Sequence, residues 1–249
     1  MELKVNNPNL SVILPVGCNA KCEFCYWEKK TGLTLERFQE ICDTLPEIFK
    51  QVSITGGETT LESNLIEYLK IARDRFDKVV LNTNGYELKQ EHFKYIDYVN
   101  ISRHHWMDKE NEKVFQTTSI PDHTELQKLC TYGDITLNCV LSDTFSDYEF
   151  VNQYTKFAKA VGAKVSFRKY FSNLNILTEV DKNDTLNWEH SCPACLNRNH
   201  TINGIDTTFK YSVQETCEAT DGIYELILQS NGDLTIDWKG EQKLHYTKE

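Results

Sequence analysis

No stretch of this 249-residue chain approaches the roughly 20 apolar residues of a membrane helix, so no spanning segment is expected. Positive charge is also scarce. The 27 basic residues are outnumbered by 37 acidic ones, for a net charge of −10, and an extended nucleic-acid surface is not expected. A nucleotide or a peptide stays compatible with that balance. The opening residues Met1 to Pro8 hold no apolar core, so no secretory signal is expected there. No repeat of fixed period and no low-complexity tract is visible. What the chain does contain is cysteine, nine in all, an odd count. Without a secretory signal these point to a reducing cytoplasm, where clustered cysteines bind metal more often than they form disulfides.

Three of the cysteines lie together in the run Gly17-Cys18-Asn19-Ala20-Lys21-Cys22-Glu23-Phe24-Cys25-Tyr26. Thiolates are soft ligands suited to iron-sulfur clusters, and three at short loop spacing can hold one cluster. A four-iron cubane on three cysteines keeps one iron free of protein, open to a substrate or cofactor. The competing readings are a zinc loop or unremarkable thiols. Zinc sites usually pair two C-x2-C knuckles, and the first gap here is one residue too long for that. A disulfide cannot use three cysteines evenly.

Along the chain, short β-branched runs alternate with helical patterns. Strands are expected at Ser11 to Val16, Val52 to Thr55, Lys78 to Thr83, Tyr98 to Ser102, Asp134 to Leu141 and Lys164 to Tyr170. Pro15 sits uneasily in a central strand, so the first run is expected to be short or to end there. Helical spacing appears after the N-cap candidate Thr34, over Leu61 to Phe76, around Leu126 to Cys130, and over Tyr148 to Val161. Repeated strand–helix units imply a parallel sheet with right-handed crossovers. Six units are too few for a full eight-stranded barrel, so the expected fold is α/β, a partial (β/α)6 TIM-like barrel. In such barrels sites gather in loops after the carboxyl ends of strands. The cysteine run, Gly56-Gly57-Glu58 and Asn84-Gly85 all fall in such loops.

The C-x3-C-x2-C spacing, with Phe24 just before the third cysteine, resembles the signature of the radical S-adenosylmethionine (SAM) superfamily. The resemblance implies that Cys18, Cys22 and Cys25 hold a 4Fe-4S cluster. Its open iron would chelate SAM and pass on an electron from an external donor, giving methionine and a 5′-deoxyadenosyl radical. The resemblance places Phe24 against the adenine, with a hydrophobic plug under the loop as the compatible plain role. It places Gly56, Gly57 and Glu58 at the amino group of SAM's methionine part. Glycines let backbone approach a ligand, and a carboxylate suits an ammonium. The plain alternative is a strand-to-helix turn with a first-turn Glu. Many relatives have proline next, where this chain has Thr59.

Thr83-Asn84-Gly85 resembles the family's third-strand ending, though as a bare tripeptide it is a common turn. Ser102 and Arg103, followed by His104 and His105, lie where family members place polar contacts to SAM. Many relatives put an acidic residue there. The histidines could act as acid or base or as cluster ligands, or be one packed ring and one solvated ring. Asn138 and Arg168 match positions where relatives hold the ribose and carboxylate of SAM. Their plain alternatives are a satisfied polar residue in a barrel strand and a salt bridge across the barrel mouth.

The alternation stops after Tyr170, which divides the chain into a barrel, 1–170, and a C-terminal appendage, 171–249. The appendage carries a hairpin signal, Ser230-Asn231-Gly232-Asp233 between Tyr224 to Leu228 and Leu234 to Trp238. It also carries Cys192-Pro193-Ala194-Cys195 and Cys217, which resemble the auxiliary-cluster appendage of the molybdenum-cofactor GTP cyclase and the twitch class. The resemblance implies a second 4Fe-4S cluster on Cys192, Cys195 and Cys217. The alternative is a zinc knuckle completed by His190 or His200. The chain does not end in the cyclase's glycine pair. Cys42, Cys130 and Cys139 are expected to be small core residues.

Together these features point to a cytoplasmic radical SAM enzyme acting on a small molecule, nucleotide or short peptide, with no catalytic residue yet assignable. The rival reading is a non-catalytic iron-sulfur or zinc-binding module for electron transfer. Gly56-Gly57-Glu58 speaks against the rival, since an electron carrier needs no site for a SAM ammonium.

Overall fold

The structure, a computed structural model, describes residues 8–25, 31–141, 147–169, 175–192, 195–210 and 225–244. Its elements run β1 (Asn9–Ile13), α1 (Leu35–Thr44), β2 (Gln51–Thr55), α2 (Leu65–Arg75), β3 (Lys78–Thr83), β4 (Tyr98–Ser102), α3 (Asp108–Phe115), α4 (His123–Cys130), β5 (Asp134–Leu141), α5 (Tyr148–Val161) and β6 (Lys164–Lys169). Then follow α6 (Asn175–Asn183), β7 (Thr185–Cys192), β8 (Cys195–Ile202), β9 (Ile205–Lys210), β10 (Glu225–Leu228) and β11 (Leu234–Thr235). All eleven strands among the described residues lie on one open sheet, ordered β11-β10-β1-β2-β3-β4-β5-β6-β9-β8-β7. The six strands β1 to β6 are parallel and in chain order, as the strand–helix alternation predicts.

The alternation of side chains divides the sheet into two faces. Val12, Ile54, Leu81, Val99, Leu137 and Phe167 point to one face and pack with Phe38, Leu69, Leu126 and Tyr154 of the helices. The other face of β1 to β4 is polar and zipped by amides. Gln51 donates to Asn9 Oδ1 at 3.2 Å, Asn82 to Ser53 Oγ at 2.8 Å, and Asn100 to Asn82 Oδ1 at 2.9 Å. Helix ends follow their local chemistry. Thr34 and Asp147 cap α1 and α5 by accepting from Arg37 N and Phe150 N. Gly162 ends α5 in the left-handed region, at φ 86°.

The first strand is shifted toward the N-terminus relative to expectation, spanning Asn9–Ile13 and stopping before Pro15. Residues after β6 extend both edges of the sheet. The antiparallel meander β7–β8–β9 joins β6 through a parallel β6–β9 pair. The expected hairpin forms as β10–β11 and returns to the opposite edge, where β10 runs parallel to β1. Cys42 and Cys139 are buried and Cys130 is partly buried against the core, as expected of small core residues. No helix among the described residues is long and apolar enough to cross a membrane.

Candidate active site at the barrel mouth

Backbone and side-chain hydrogen bonds staple together the three loops at the carboxyl ends of β1, β2 and β3. The Glu58 N–H donates to Gly17 O at 2.8 Å, tying the glycine turn to the cysteine loop. Asn84 Nδ2 donates to Asn19 Oδ1 at 2.7 Å, and Asn19 Nδ2 to Ser119 O at 2.6 Å. The Lys21 N–H donates to Phe115 O at 2.9 Å, at the end of α3. Asn19, Phe115 and α3 were not legible as site supports. The α3 sequence Asp108–Phe115 is mostly charged and buries only Asn111 and Phe115, so it carries little apolar periodicity.

Cys18 and Cys25 are exposed and Cys22 is half-buried. Loss of solvent pushes the Cys18 thiol above its ordinary value, the Ala20 N–H pulls it back, and negative charge on Glu58 and Cys25 adds to the rise. Desolvation, then Cys25 and Cys18, push Cys22 up to about 12. The three thiols therefore sit in one another's field, and a cationic cluster core is what would relieve three adjacent thiolates. Among the described residues no three His, Cys, Asp or Glu side chains converge closely enough for a single metal ion. A cubane binds each thiolate on a different iron, so its ligands stand farther apart than those of one ion. The donor set therefore fits a cluster.

Glu58 has a role that its motif did not announce. It is fully buried. Its carboxylate accepts from Asn84 N at 2.6 Å, Thr60 N at 3.0 Å, Thr60 Oγ1 at 2.8 Å, and the Thr83 hydroxyl. Burial still holds its carboxyl above the usual range. Thr83 and Asn84 are thus partners of Glu58, and the Asn84 side chain spans to the cysteine loop. Thr59, in place of the family's proline, is also buried and donates to Asn82 O at 2.9 Å. A Cβ on Gly56 would stand 3.1 Å from Leu14 O, so the turn packs tightly on the first strand's exit.

Phe24 lies edge-on to the His104 ring at 4.9 Å, and His104 stacks on Phe115 at 4.9 Å. His104 Nδ1 accepts from Val140 N at 3.1 Å, and burial holds its imidazole down at about 3. His104 is a neutral packed ring, which removes it as an acid or base. His105 Nδ1 accepts from Met107 N at 3.0 Å and its ring lies against Trp106. The Arg103 side chain lies on the helix side of β4, nearly fully buried. Its guanidinium donates to Pro121 O, Trp106 O and Asp108 Oδ1 and lies over the Phe157 ring. Those contacts commit Arg103 to the fold and turn its side chain away from the polar face.

Ser102, Asn138 and Ser166 stand side by side in register on the polar face of β4, β5 and β6. Asn138 Oδ1 is buried with no hydrogen-bond partner, an acceptor that fits a hydroxyl donor such as a ribose. Two residues nearer the strand ends, Arg168 pairs in register with Lys210 of β9. Cys192 and Cys195 are opposed in backbone register at the end of β7–β8, beyond the Asn197–Lys210 pair and so on the carboxyl-end side of β6. Cys217 lies outside the described residues.

An open, largely parallel sheet with a three-cysteine loop after its first strand and a glycine turn after its second defines a class of partial barrels. Residues 12–113 match the family model described as the radical SAM superfamily, and the chain carries a radical SAM domain. That family implies a 4Fe-4S cluster and SAM, and the match supports SAM-dependent radical chemistry. The chain is 34% identical over 82 residues to a Methanocaldococcus jannaschii protein named for glycyl-radical enzyme activation, covering 31% of this chain and 32% of that protein. It is 29% identical over 186 residues to the GTP 3′,8-cyclase of Aliarcobacter butzleri, covering 67% of this chain and 56% of that protein. The chain thus spans about a third to just over half the length of these curated relatives. In fold it is similar to Streptococcus suis SuiB bound to S-adenosylmethionine, with TM-score 0.66 and 15% identity over 96% of this chain and 63% of that one.

Proposed function

We propose that this chain is a radical SAM enzyme that abstracts hydrogen from a small-molecule, nucleotide or peptide substrate held against its polar sheet face. Cys18, Cys22 and Cys25 would hold the cluster, and Phe24 the adenine. Gly56 and Gly57 would offer backbone to the methionine end, while Ser102 and Asn138 border the ribose. When bound, the cluster supplies the electron that cleaves SAM to methionine and a 5′-deoxyadenosyl radical. The protein's own part is to hold three loops in fixed relation and to keep water from the reacting group. The observation that carries this reading is the stapling of the cysteine loop, glycine turn and third-strand end through Gly17 O, Glu58 and the Asn19–Asn84 pair. Glu58 acts in it as the frame, so the ammonium contact falls to the backbone of Gly56 and Gly57.

The reading extends to a second metal site. Cys192 and Cys195, with Cys217, would hold another 4Fe-4S cluster facing the mouth, and the place of Cys192 and Cys195 beyond the end of β9 supports this. A barrel over 1–170 and an appendage over 171–249 would then carry one cluster each. The streptococcal relative in fold was solved with a precursor peptide, which makes a peptide one candidate substrate here. An external reductant is required in every version.

The test is anaerobic reconstitution, followed by iron and sulfide analysis and measurement of 5′-deoxyadenosine after adding SAM and dithionite. Wild type is expected to form deoxyadenosine and to carry about eight irons, or about four if only the first cluster assembles. Alanine at Cys18, Cys22 and Cys25 together should abolish product. Undiminished cleavage in that variant would refute the assignment. Zinc in native protein, with iron for one cluster, would replace the second cluster by a zinc knuckle.

A further inference from the structure

The polar face changes character between β4 and β8. Through β4 its side chains are hydrogen-bonded to one another. On β6, Ser166 is nearly fully buried and its Oγ has no partner; on β8, Asn197 Oδ1 is buried and also has none. The pairings Arg168–Lys210 and Lys210–Asn197 place one guanidinium, one ammonium and one amide in a row across three strands. Ser166 and Thr208 form the row beneath. In-register residues on neighbouring strands share a face, so these groups point the same way. Among the described residues neither Arg168 nor Lys210 makes a hydrogen bond or ion pair. Two half-buried cations side by side with no counter-ion among the described residues are costly, unless an anion is meant to lie between them.

We infer that Arg168 and Lys210 form a seat for an anionic group of the substrate, a carboxylate or a phosphate, with Ser166 and Asn197 completing its hydrogen bonds. This rests on the enzymatic reading above and narrows its substrate to an anion. Arg168 then serves the substrate, and the carboxylate of SAM is bound elsewhere. Burial, and after it the charge of Arg168, hold the Lys210 ammonium down at about 7, the response of a cation kept without its partner. A cleft of about 450 Å³ opens directly below, lined among others by Thr208, Asn199, Lys164, Asp206 and the half-exposed Trp188, and it can take the remainder of the substrate. Arg168 and Lys210 both lie outside residues 12–113, so neither strand of the seat falls in the stretch that matches the family model.

The experiment is calorimetric titration of the anaerobically reconstituted protein with inorganic phosphate, with acetate, and separately with SAM. Wild type should bind at least one of the two small anions. Lys210→Met should weaken that binding about tenfold or more, as loss of a charge-assisted hydrogen bond does, and leave SAM affinity within about twofold. Lys210→Arg should restore anion binding, a rescue that a merely structural lysine would not give. Absence of phosphate and acetate binding in wild type would overturn the proposal. So would Lys210→Met or Arg168→Met weakening SAM while leaving the small anions unaffected, since the pair would then grip the carboxylate of SAM. Failure of wild type to bind SAM would refute the enzymatic reading alone, because the anion titrations are read independently.

Discussion

At the carboxyl ends of β1 to β3, the Glu58 carboxylate is surrounded by donors and Asn84 bridges two loops; on β5, β6 and β8, the buried Asn138 Oδ1, Ser166 Oγ and Asn197 Oδ1 have no partner. The first region carries the motifs and the second carries almost none. A buried polar atom left unpaired costs about 1–3 kcal/mol, so three on one face are expected where a ligand supplies the missing partners. Motif residues with full hydrogen bonding build the frame. On the polar face, the residues with open valences mark where ligand goes. Glu58 belongs to the frame although its position in sequence suggests ligand contact, and Arg103 joins it on the helix side through its bonds to Pro121, Trp106 and Asp108, with its Nε buried and unpaired there.

The largest expected effect tests the frame. Glu58→Ala removes the acceptor for two backbone N–H groups and two hydroxyls at once. Unfolding in urea should show a loss on the order of 3 kcal/mol, together with loss of SAM cleavage. Glu58→Gln keeps one carbonyl oxygen and should lose less. If Glu58→Ala keeps full stability and loses only SAM affinity, its carboxylate faces the ligand and the contrast between the regions collapses.

His104→Phe is expected to cost about 1–2 kcal/mol, because the Val140 N–H loses its acceptor while the stack between Phe24 and Phe115 is kept. Deoxyadenosine formation should survive in this variant. With its imidazole held at about 3, His104 is neutral across the working range and contributes no inflection to a pH–rate profile. Complete loss of turnover with intact folding would restore it as an acid or base.

Lys210 gives the second region a pH signature. In the free protein its ammonium is populated below about 7 and lost above it, so anion affinity is highest on the acid side. A bound anion favours the charged form and moves the fall to higher pH. Acetate, which stays ionised above about pH 6, should bind about tenfold more weakly by about pH 9. Lys210→Met should flatten that dependence, and a flat profile in wild type would remove Lys210 from the seat.

Much of the frame was legible in the sequence. The strands Lys78–Thr83, Tyr98–Ser102 and Asp134–Leu141 and the helix Tyr148–Val161 fall where periodicity predicts them, because each buries a regular apolar stripe. The meander β7–β9 was not, since Asn187, Asn199 and Thr208 make one of its faces polar and no helix separates the strands. One local signal did exist there. Asn203-Gly204 has both residues at positive φ, 52° and 78°, and joins β8 to β9 in the way that Asn-Gly turns join hairpins. Reading it would have placed Thr208 and Lys210 on one face. Their pairing with Ser166 and Arg168 is a product of tertiary register, which no local pattern encodes.

The smallest effect is the sharpest for the comparison, because its sign is opposite. Ser166→Ala removes a buried hydroxyl with no partner, and its Cβ already lies in the sheet. No donor or acceptor is stranded by the change, so the desolvation cost of the hydroxyl disappears. Stability should stay level or rise by up to about 1 kcal/mol, against the loss expected at Glu58. Phosphate or acetate binding should weaken a few-fold at the same time, since the bound anion loses one neutral hydrogen bond and keeps both cations. Paired urea unfolding and anion titration on this single variant separate the two roles. A stability loss of 1 kcal/mol or more would mean the hydroxyl is already satisfied in the free protein, and β6 would then belong to the frame with β1 to β3.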